Sequence, residues 1–425
     1  MGDDGEHSTI LVYKGIRIGI GLIDYDTSLM VVKAKMTLAE LSPIDRSEIL
    51  DRQRKAALLT ASAGYDALFV IGRSFYDRPG DLAYLTNHFP PFPTTVFSEG
   101  NRGMGHAAFL LPVEGDPVLL TDARKHRADL VAVDDVRATN DLGAAMADLL
   151  REKDLARGRV GLVGDDILPA AIDRYIGGEL PALRFEAEPV IVARMRSIKS
   201  PAEQALMRRA ALCADAALTT AAGMIRAGGV TEREVCAEAI AAAMRAGADF
   251  VRYFRVHSGP WSAMGSRWPQ AMDRAIQPGE VVALDAIGAY QGYHFDVNRT
   301  TVCGEPDDHT RALLETTLDA TQAAVDASLA GVKVDDVANA AVRVMNASPF
   351  GDYFRGMLGH AIGLETVELP YLKSGEQTLL EPGMVLCIEP GLSIPDVAGA
   401  AIEQEVIVRG GGPAEVITPT PVRLW

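Results

Sequence analysis

Apolar and polar positions change rhythm along the chain, and the changes mark out elements. From about residue 44 apolar positions recur at helical spacing through an Arg- and Lys-bearing stretch near 46–63. They then run together as Ala67, Leu68, Phe69, Val70 and Ile71, between Asp66 and Gly72. Strand-like runs follow at 107–112, 117–120 and 159–164, separated by helical patterns. Helices alternating with strands predict an α/β layer. Ahead of it, residues 9–34 alternate and are rich in β-formers such as Ile10, Val12, Val31 and Val32, which predicts an added arm or hairpin. Residues 1–44 receive no functional role.

A second set of signals begins near residue 196. Ser200, Pro201 and Glu203 have the spacing of a capping box with proline in the first helical turn, ahead of a long Ala/Leu helix ending at Gly228 and Gly229. Thr231 and Glu234 repeat the spacing and open another helix to about 246. The expected organisation is therefore an extension over 1–44, one domain over 45–195 and another over 196–425. The last carries an internal echo. Pro278-Gly279 and Pro382-Gly383 each feed an apolar strand that presents a carboxylate seven residues after the proline, Asp285 in one case and Glu389 in the other. Such self-similarity predicts two related halves whose strands face each other.

Those carboxylates carry the chemistry. Asp285 and Asp296 stand eleven residues apart and bracket residues 288–293, a suitable hairpin connection. Glu389 and Glu403, fourteen apart, flank Pro390, Gly391 and Gly399. A carboxylate ending an apolar strand is costly to bury unless paired or metal-bound. Four converging would repel without a cation. Adding His360 gives a mostly oxygen donor set suited to Mn, Fe, Co or Zn. Two ions about 3.5–4 Å apart could share bridging carboxylates and a water.

Bulk properties narrow the rest. A length of 425 residues exceeds one ordinary core. The net charge of −16 argues against nucleic acid or an anionic membrane as partner. Cys213, Cys236, Cys303 and Cys387 show no short pairing, as expected of lone buried thiols in a reducing compartment. The acidic N-terminus does not read as a secretory signal, and no apolar run reaches about 18 residues, so a cytoplasmic protein is expected. No phosphate loop, nucleophile elbow or zinc-finger spacing occurs.

The order Asp285, Asp296, then GHAIG around His360, IEPG around Glu389 and IEQE around Glu403 resembles the creatinase/prolidase/methionine-aminopeptidase superfamily. LDAIGAYQGYHFDVNRT, VARMRSIKSPAEQALMRRA, GYDALFV and DLAYLTN are similar to its segments, so the resemblance covers roughly residues 45–425. It implies an α/β (α+β) "pita-bread" catalytic domain with pseudo-two-fold halves, after a smaller creatinase-type α/β domain. It implies two divalent ions (Mn, Co, Zn or Fe), with Asp285 chelating one, Asp296 and Glu403 bridging, His360 completing one site and Glu389 binding the other. Glu389 would also exchange a proton with a metal-bridged hydroxide that acts as nucleophile. The implied activity is that of an Xaa-Pro peptidase of prolidase or aminopeptidase P type, in a homodimer acting on small peptides. The loops at 75–78 and 88–93 are read as rigid surface loops, although in related dimers this domain can reach the partner's site.

The match departs in one respect. Family peptidases use two further histidines near the substrate. One belongs in residues 258–268, where Ser266 stands closest to the expected place, and the other at Val367, seven after His360. Both are absent. The alternative is therefore a divergent small-molecule C–N hydrolase or lyase on the same metal site, similar to creatinase, ectoine hydrolase or dimethylsulfoniopropionate lyase, of which creatinase itself lacks the metals. A non-catalytic binding protein is the third reading. Catalytic candidates are Glu389, Ser266 and Arg267, the arginine as a carboxylate binder. Candidate substrate contacts are His257, Trp261, Trp268, His294 and Tyr371. His106 and His126 look isolated and are expected at the surface.

Overall fold

The computed structural model describes residues 44–93, 98, 100–124, 126–265, 268–354, 356 and 358–425. They belong to one compact unit, Ser42–Trp425. Ser266, Arg267 and the arm predicted at 9–34 lie outside the described residues. The elements begin with α1 (Arg46–Ser62), β1 (Ala67–Arg73), α2 (Gly80–Thr86), β2 (His106–Pro112), β3 (Val118–Asp122), β4 (Asp135–Thr139), α3 (Leu142–Glu152), β5 (Arg159–Val163), α4 (Ala170–Glu179), β6 (Arg184–Ala187) and α5 (Ile191–Ser197). They continue with α6 (Pro201–Ala227), α7 (Glu232–Ala246), β7 (Phe250–Ser258), β8 (Val281–Tyr290), β9 (Tyr293–Val302), α8 (Asp308–Ala327) and α9 (Val334–Asn346). The remaining strands are β10 (Gly359–Ala361), β11 (Glu368–Tyr371), β12 (Val385–Ile388), β13 (Gly391–Ile394), β14 (Ala398–Ala401), β15 (Gln404–Ile407) and β16 (Glu415–Val416).

The first six strands form one mixed sheet in the order β4-β3-β2-β1-β5-β6. Its central strand explains the unbroken apolar run at 67–71. Ala67, Phe69 and Ile71 join a cluster with Leu142, Met146 and Ile172 of α3 and α4. Leu68 and Val70 join another with Ile49, Leu82 and Leu85 of α1 and α2. A strand covered on both faces has no polar side to alternate with.

Beyond α5 the arrangement changes to antiparallel strands backed by helix pairs. The capping boxes start α6 and α7 as the sequence predicts, with Ser200 accepting from the Glu203 N–H and Thr231 from the Glu234 N–H. These helices cover one face of β7-β8-β9, where Leu284 and Ala286 of β8 and Phe295 and Val297 of β9 meet Leu206 and Ala210. On the other side α8 and α9 lie behind β10, β12 and β15, with Leu313, Val337 and Ala341 against Leu386, Ile388 and Val406. The echo in the sequence is thus a repeated strand-and-helix-pair layer. Gly279 and Gly383, which lead into β8 and β12, have φ of +84° and +94°. The hairpin between Asp285 and Asp296 is tighter than predicted. The strands run to Tyr290 and resume at Tyr293, leaving only Gln291 (φ 48°) and Gly292 (φ 79°) to turn. Two positive φ values give the turn whose twist matches the flanking strands. No helix of the described residues is long and apolar enough to cross a membrane.

Candidate metal centre

Strand alternation sorts the two faces of β8 and β9. Leu284, Ala286, Phe295 and Val297 face the helices, so Asp285, Ile287, Asp296 and Asn298 face the opposite way. Asp285 pairs with Asn298 and Ile287 with Asp296, which sets the two aspartates diagonally on one face. From the second half, β10 lies between β11 and β12, with His360 opposite Cys387, and Cys387 opposite Glu405 on β15. Gly359 makes this approach possible. Its φ is +139°, and a Cβ there would lie 1.9 Å from the Cys387 carbonyl oxygen.

The groups converge. His360 Nε2 is 3.3 Å from Glu389 Oε1 and 3.7 Å from Asp296 Oδ2. His360 Nδ1 lies 3.0 Å from the Ala361 carbonyl, which can only accept, so Nδ1 carries the proton and Nε2 faces the carboxylates. Donor atoms of His360, Cys387 and Glu403 lie within 4.8 Å of one another. Glu403 is oriented by Asn298, whose backbone N–H and Nδ2 donate to Oε2 at 2.8 and 2.9 Å. Glu405 Oε1 accepts from the Asp296 N–H at 2.9 Å. Arg255, opposite Asp285 on β7, approaches Asp285 Oδ2 to 3.6 Å and donates to Asn298 Oδ1 at 2.9 Å.

This arrangement fits a bound cation. Asp285 Oδ1 and Glu403 Oε1 are buried without a hydrogen-bond partner, a costly condition unless something else satisfies them. Burial, offset by Arg255 but reinforced by Glu389, pushes Asp285 up to about 6. Burial and mutual repulsion raise Asp296 and Glu403 well above the usual carboxylate range. Burial alone would lower His360, but the Glu389 carboxylate outweighs it and raises the imidazole. Divalent cations coordinated by these oxygens and the free imidazole nitrogen would remove the repulsion and occupy the orphaned lone pairs.

Asn298, Cys387, Glu405 and Arg255 were given no place in the site by the sequence reading, in which Cys387 was only a lone buried thiol. The first three had a signal, since each stands two residues from a predicted ligand on a strand and shares its face. Arg255 had none, because its place depends on long-range pairing between β7 and β8.

The predicted substrate contacts are scattered. Trp261 sits in a 3-10 turn (Gly259–Ala263) and Trp268 is 88% exposed. His257 is fully buried, with Nε2 3.2 Å from the Pro269 carbonyl. His294 is buried with both ring nitrogens unpartnered, and burial together with Arg252 pushes it down to about 3. Tyr371 lies across from His360 and lines a cavity of about 560 Å³, together with Arg78, Arg196, Arg252, Val367 and Glu368. Behind that wall, Arg196 pairs with Asp81 and Glu368, and Lys199 Nζ lies 2.9 Å from Glu368. His106 corrects the expectation of a surface residue. It starts β2, opposite Arg73 in the central sheet, and is buried.

Residues 205–410 match the metallopeptidase family M24. The Xaa-Pro dipeptidase of Pyrococcus horikoshii is 32% identical over 230 residues, which cover 54% of this chain and 64% of that protein. A Mycobacterium bovis protein named "Probable dipeptidase PepE" is 30% identical over 374 residues, covering 85% of this chain and 92% of its own. Among solved structures, an Xaa-Pro dipeptidase from Bacillus anthracis matches with a TM-score of 0.74 and 27% identity, covering 89% of this chain and 99% of that one.

Proposed function

Because this chain belongs to metallopeptidase family M24, a family of metal-dependent hydrolases, we propose that it is a peptidase of the Xaa-Pro dipeptidase type. The observation that carries the reading is the convergence of His360, Asp296, Glu389 and Glu403 around buried, partnerless carboxylate oxygens. Asp285, Asp296, His360, Glu389 and Glu403 would hold two divalent cations. When bound, these would polarise the scissile carbonyl and make a water nucleophilic near neutral pH.

The chain's own residues do the remaining work. Glu389 lies within 3.3 Å of His360 Nε2, at the edge of the donor set, where its carboxylate can take the proton of the attacking water and return it to the leaving amine. Asn298 fixes the orientation of Glu403 through two donated hydrogen bonds. A homodimer and a cytoplasmic location accompany this reading, as does a division into domains at 45–195 and 196–425.

A second reading has one observation in its favour. Val367, where the family resemblance would put a substrate-handling histidine, is a 43% exposed apolar side chain on the cavity wall. A small-molecule C–N hydrolase or lyase would have no need of that histidine. Metal analysis followed by turnover of Ala-Pro in Mn, Co, Fe and Zn separates the cases. Two bound metals with cleavage are expected. Two metals without cleavage would transfer the reading to the small-molecule class, and failure to bind metal under any loading would end both.

A further inference from the structure

The donor groups of the candidate centre are oxygens and one imidazole, yet a sulfur stands among them. β12 lies between β10 and β15, and at one level across the three strands His360, Cys387 and Glu405 are side by side. Leu386 and Ile388, the neighbours of Cys387 along β12, pack against α8 and α9, so the thiol faces the opposite way, toward β9. Its Sγ lies 3.8 Å from the Asp296 carbonyl oxygen. Donor atoms of His360, Cys387 and Glu403 all fall within 4.8 Å of one another.

A buried cysteine ordinarily behaves as a small apolar filler with a weak S–H donor. Cys213 and Cys236 fit that description, with their thiols against the Arg209 and Phe254 carbonyls at 3.6 and 3.2 Å. Among the described residues Cys387 is the one cysteine that joins a group of metal donors. Beside it Glu403 is wholly buried, and its Oε1 has no hydrogen-bond partner although Oε2 accepts two hydrogen bonds from Asn298. An imidazole, a carboxylate oxygen and a sulfur this close together suit a borderline or soft ion, whereas a hard ion leaves the sulfur aside. Without metal the thiol keeps its proton, because burial and the carboxylates of Glu403, Glu405, Asp296 and Glu389 favour the neutral form. A cation entering between sulfur and carboxylates takes the place of that proton, which passes to solvent as the metal–sulfur bond forms.

We propose that Cys387 is a further metal donor of this centre, engaged together with His360 and Glu403 by a thiophilic divalent cation of the zinc class and left aside by Mn. This rests on the metal centre of the peptidase reading, and it gives the centre a basis for choosing among ions that carboxylates alone accept alike.

Cadmium is the probe, because its bond to sulfur gives an ultraviolet charge-transfer band that oxygen and nitrogen donors do not. Cd added in equal amount to metal-free, full-length protein should produce that band. Cys387→Ser should abolish it and weaken Cd binding by at least about tenfold in calorimetry, while Mn is held as strongly as by wild type. The other three thiols remain in the variant and serve as its control. Cadmium NMR of wild type gives a second reading that holds even if the variant fails to fold, since a bound sulfur moves the resonance downfield. Bound Cd with neither band nor shift, or a band and an affinity that survive Cys387→Ser, would overturn the proposal. Mn bound while Cd shows no sulfur signature removes Cys387 and leaves the metal-centre reading standing. Failure to bind either ion ends both.

Discussion

In one buried cluster Arg196, Lys199 and Arg78 face Asp81, Glu365 and Glu368, and each carboxylate meets a cation. Across β10 and β11, Asp285, Asp296, Glu389 and Glu403 crowd around one histidine, and Arg255 is the one arginine that reaches them among the described residues. The physical signatures of Glu368 and of the open cluster run in opposite directions, although Glu365 beside Arg78 is raised by burial despite Arg196 and Arg78. Burial would raise Glu368, but Arg196 and Lys199 outweigh it and hold it down to about 2. At Asp296 and Glu403 burial and neighbouring carboxylates act together and raise both. Both clusters are buried and rich in acid. One is closed within the chain, and the other is complete only with something added.

The contrast can be broken first at its open side. Asp296→Asn should cut metal affinity by at least about 100-fold, as removal of a direct donor exceeds the usual loss from an outer partner. Peptidase turnover should fall with it, while the melting temperature of metal-free protein holds or rises because a repelling charge has gone. Metal analysis and calorimetry check this, and unchanged metal content would remove Asp296 from the donor set.

At the closed side, Arg196→Met should destabilise the fold by about 3–5 kcal/mol, since it leaves Glu368 and Asp81 short of a buried partner. Urea unfolding reads this directly, and a loss below 1 kcal/mol would mean the cluster is wetter than its burial suggests. The same cluster predicts a pH dependence. Glu368 has a folded pKa below its ordinary 4.5, so its contribution is present above that value and lost as pH falls toward 2. It is on the order of 3 kcal/mol. The stability gap between wild type and Glu368→Gln should therefore close as pH falls through that range.

Adding Mn to metal-free protein should stabilise it by about 2.7 kcal/mol at a hundredfold excess over Kd. Wild type and Arg196→Met should gain equally if the clusters are independent. The smallest effect belongs to Trp268→Ala. An 88% exposed side chain should cost no more than about 0.5 kcal/mol, and a larger loss would show that it is covered in solution.

Much of this was legible in the sequence because it was written in local patterns. The capping boxes at Ser200 and Thr231 depend on residues three apart, and the PG echo on residues seven apart, and both appear where expected. The coming together of His360, Asp296 and Glu389 was expected from the cost of burying unpaired charge, although Asp296 and His360 stand within β9 and β10 and not at strand ends. The closed cluster was not legible. Arg196 meets Glu368 across 172 residues, and no spacing rule links them. Arg255 was equally hidden, since its place beside Asp285 depends on the register between β7 and β8. Fixed local geometry can be read from a string, but pairing between distant segments cannot.

Gly359 bears on how such a protein can change over generations. Alanine there would collide with the Cys387 carbonyl, forcing β10 away from β12 and carrying His360 with it. Variation at that position is closed regardless of which substrate is turned over. Val367 and Tyr371, partly exposed on the cavity wall, carry no such restriction. New substrates can therefore be explored through side chains on the wall while the reacting centre stays anchored to backbone that cannot drift.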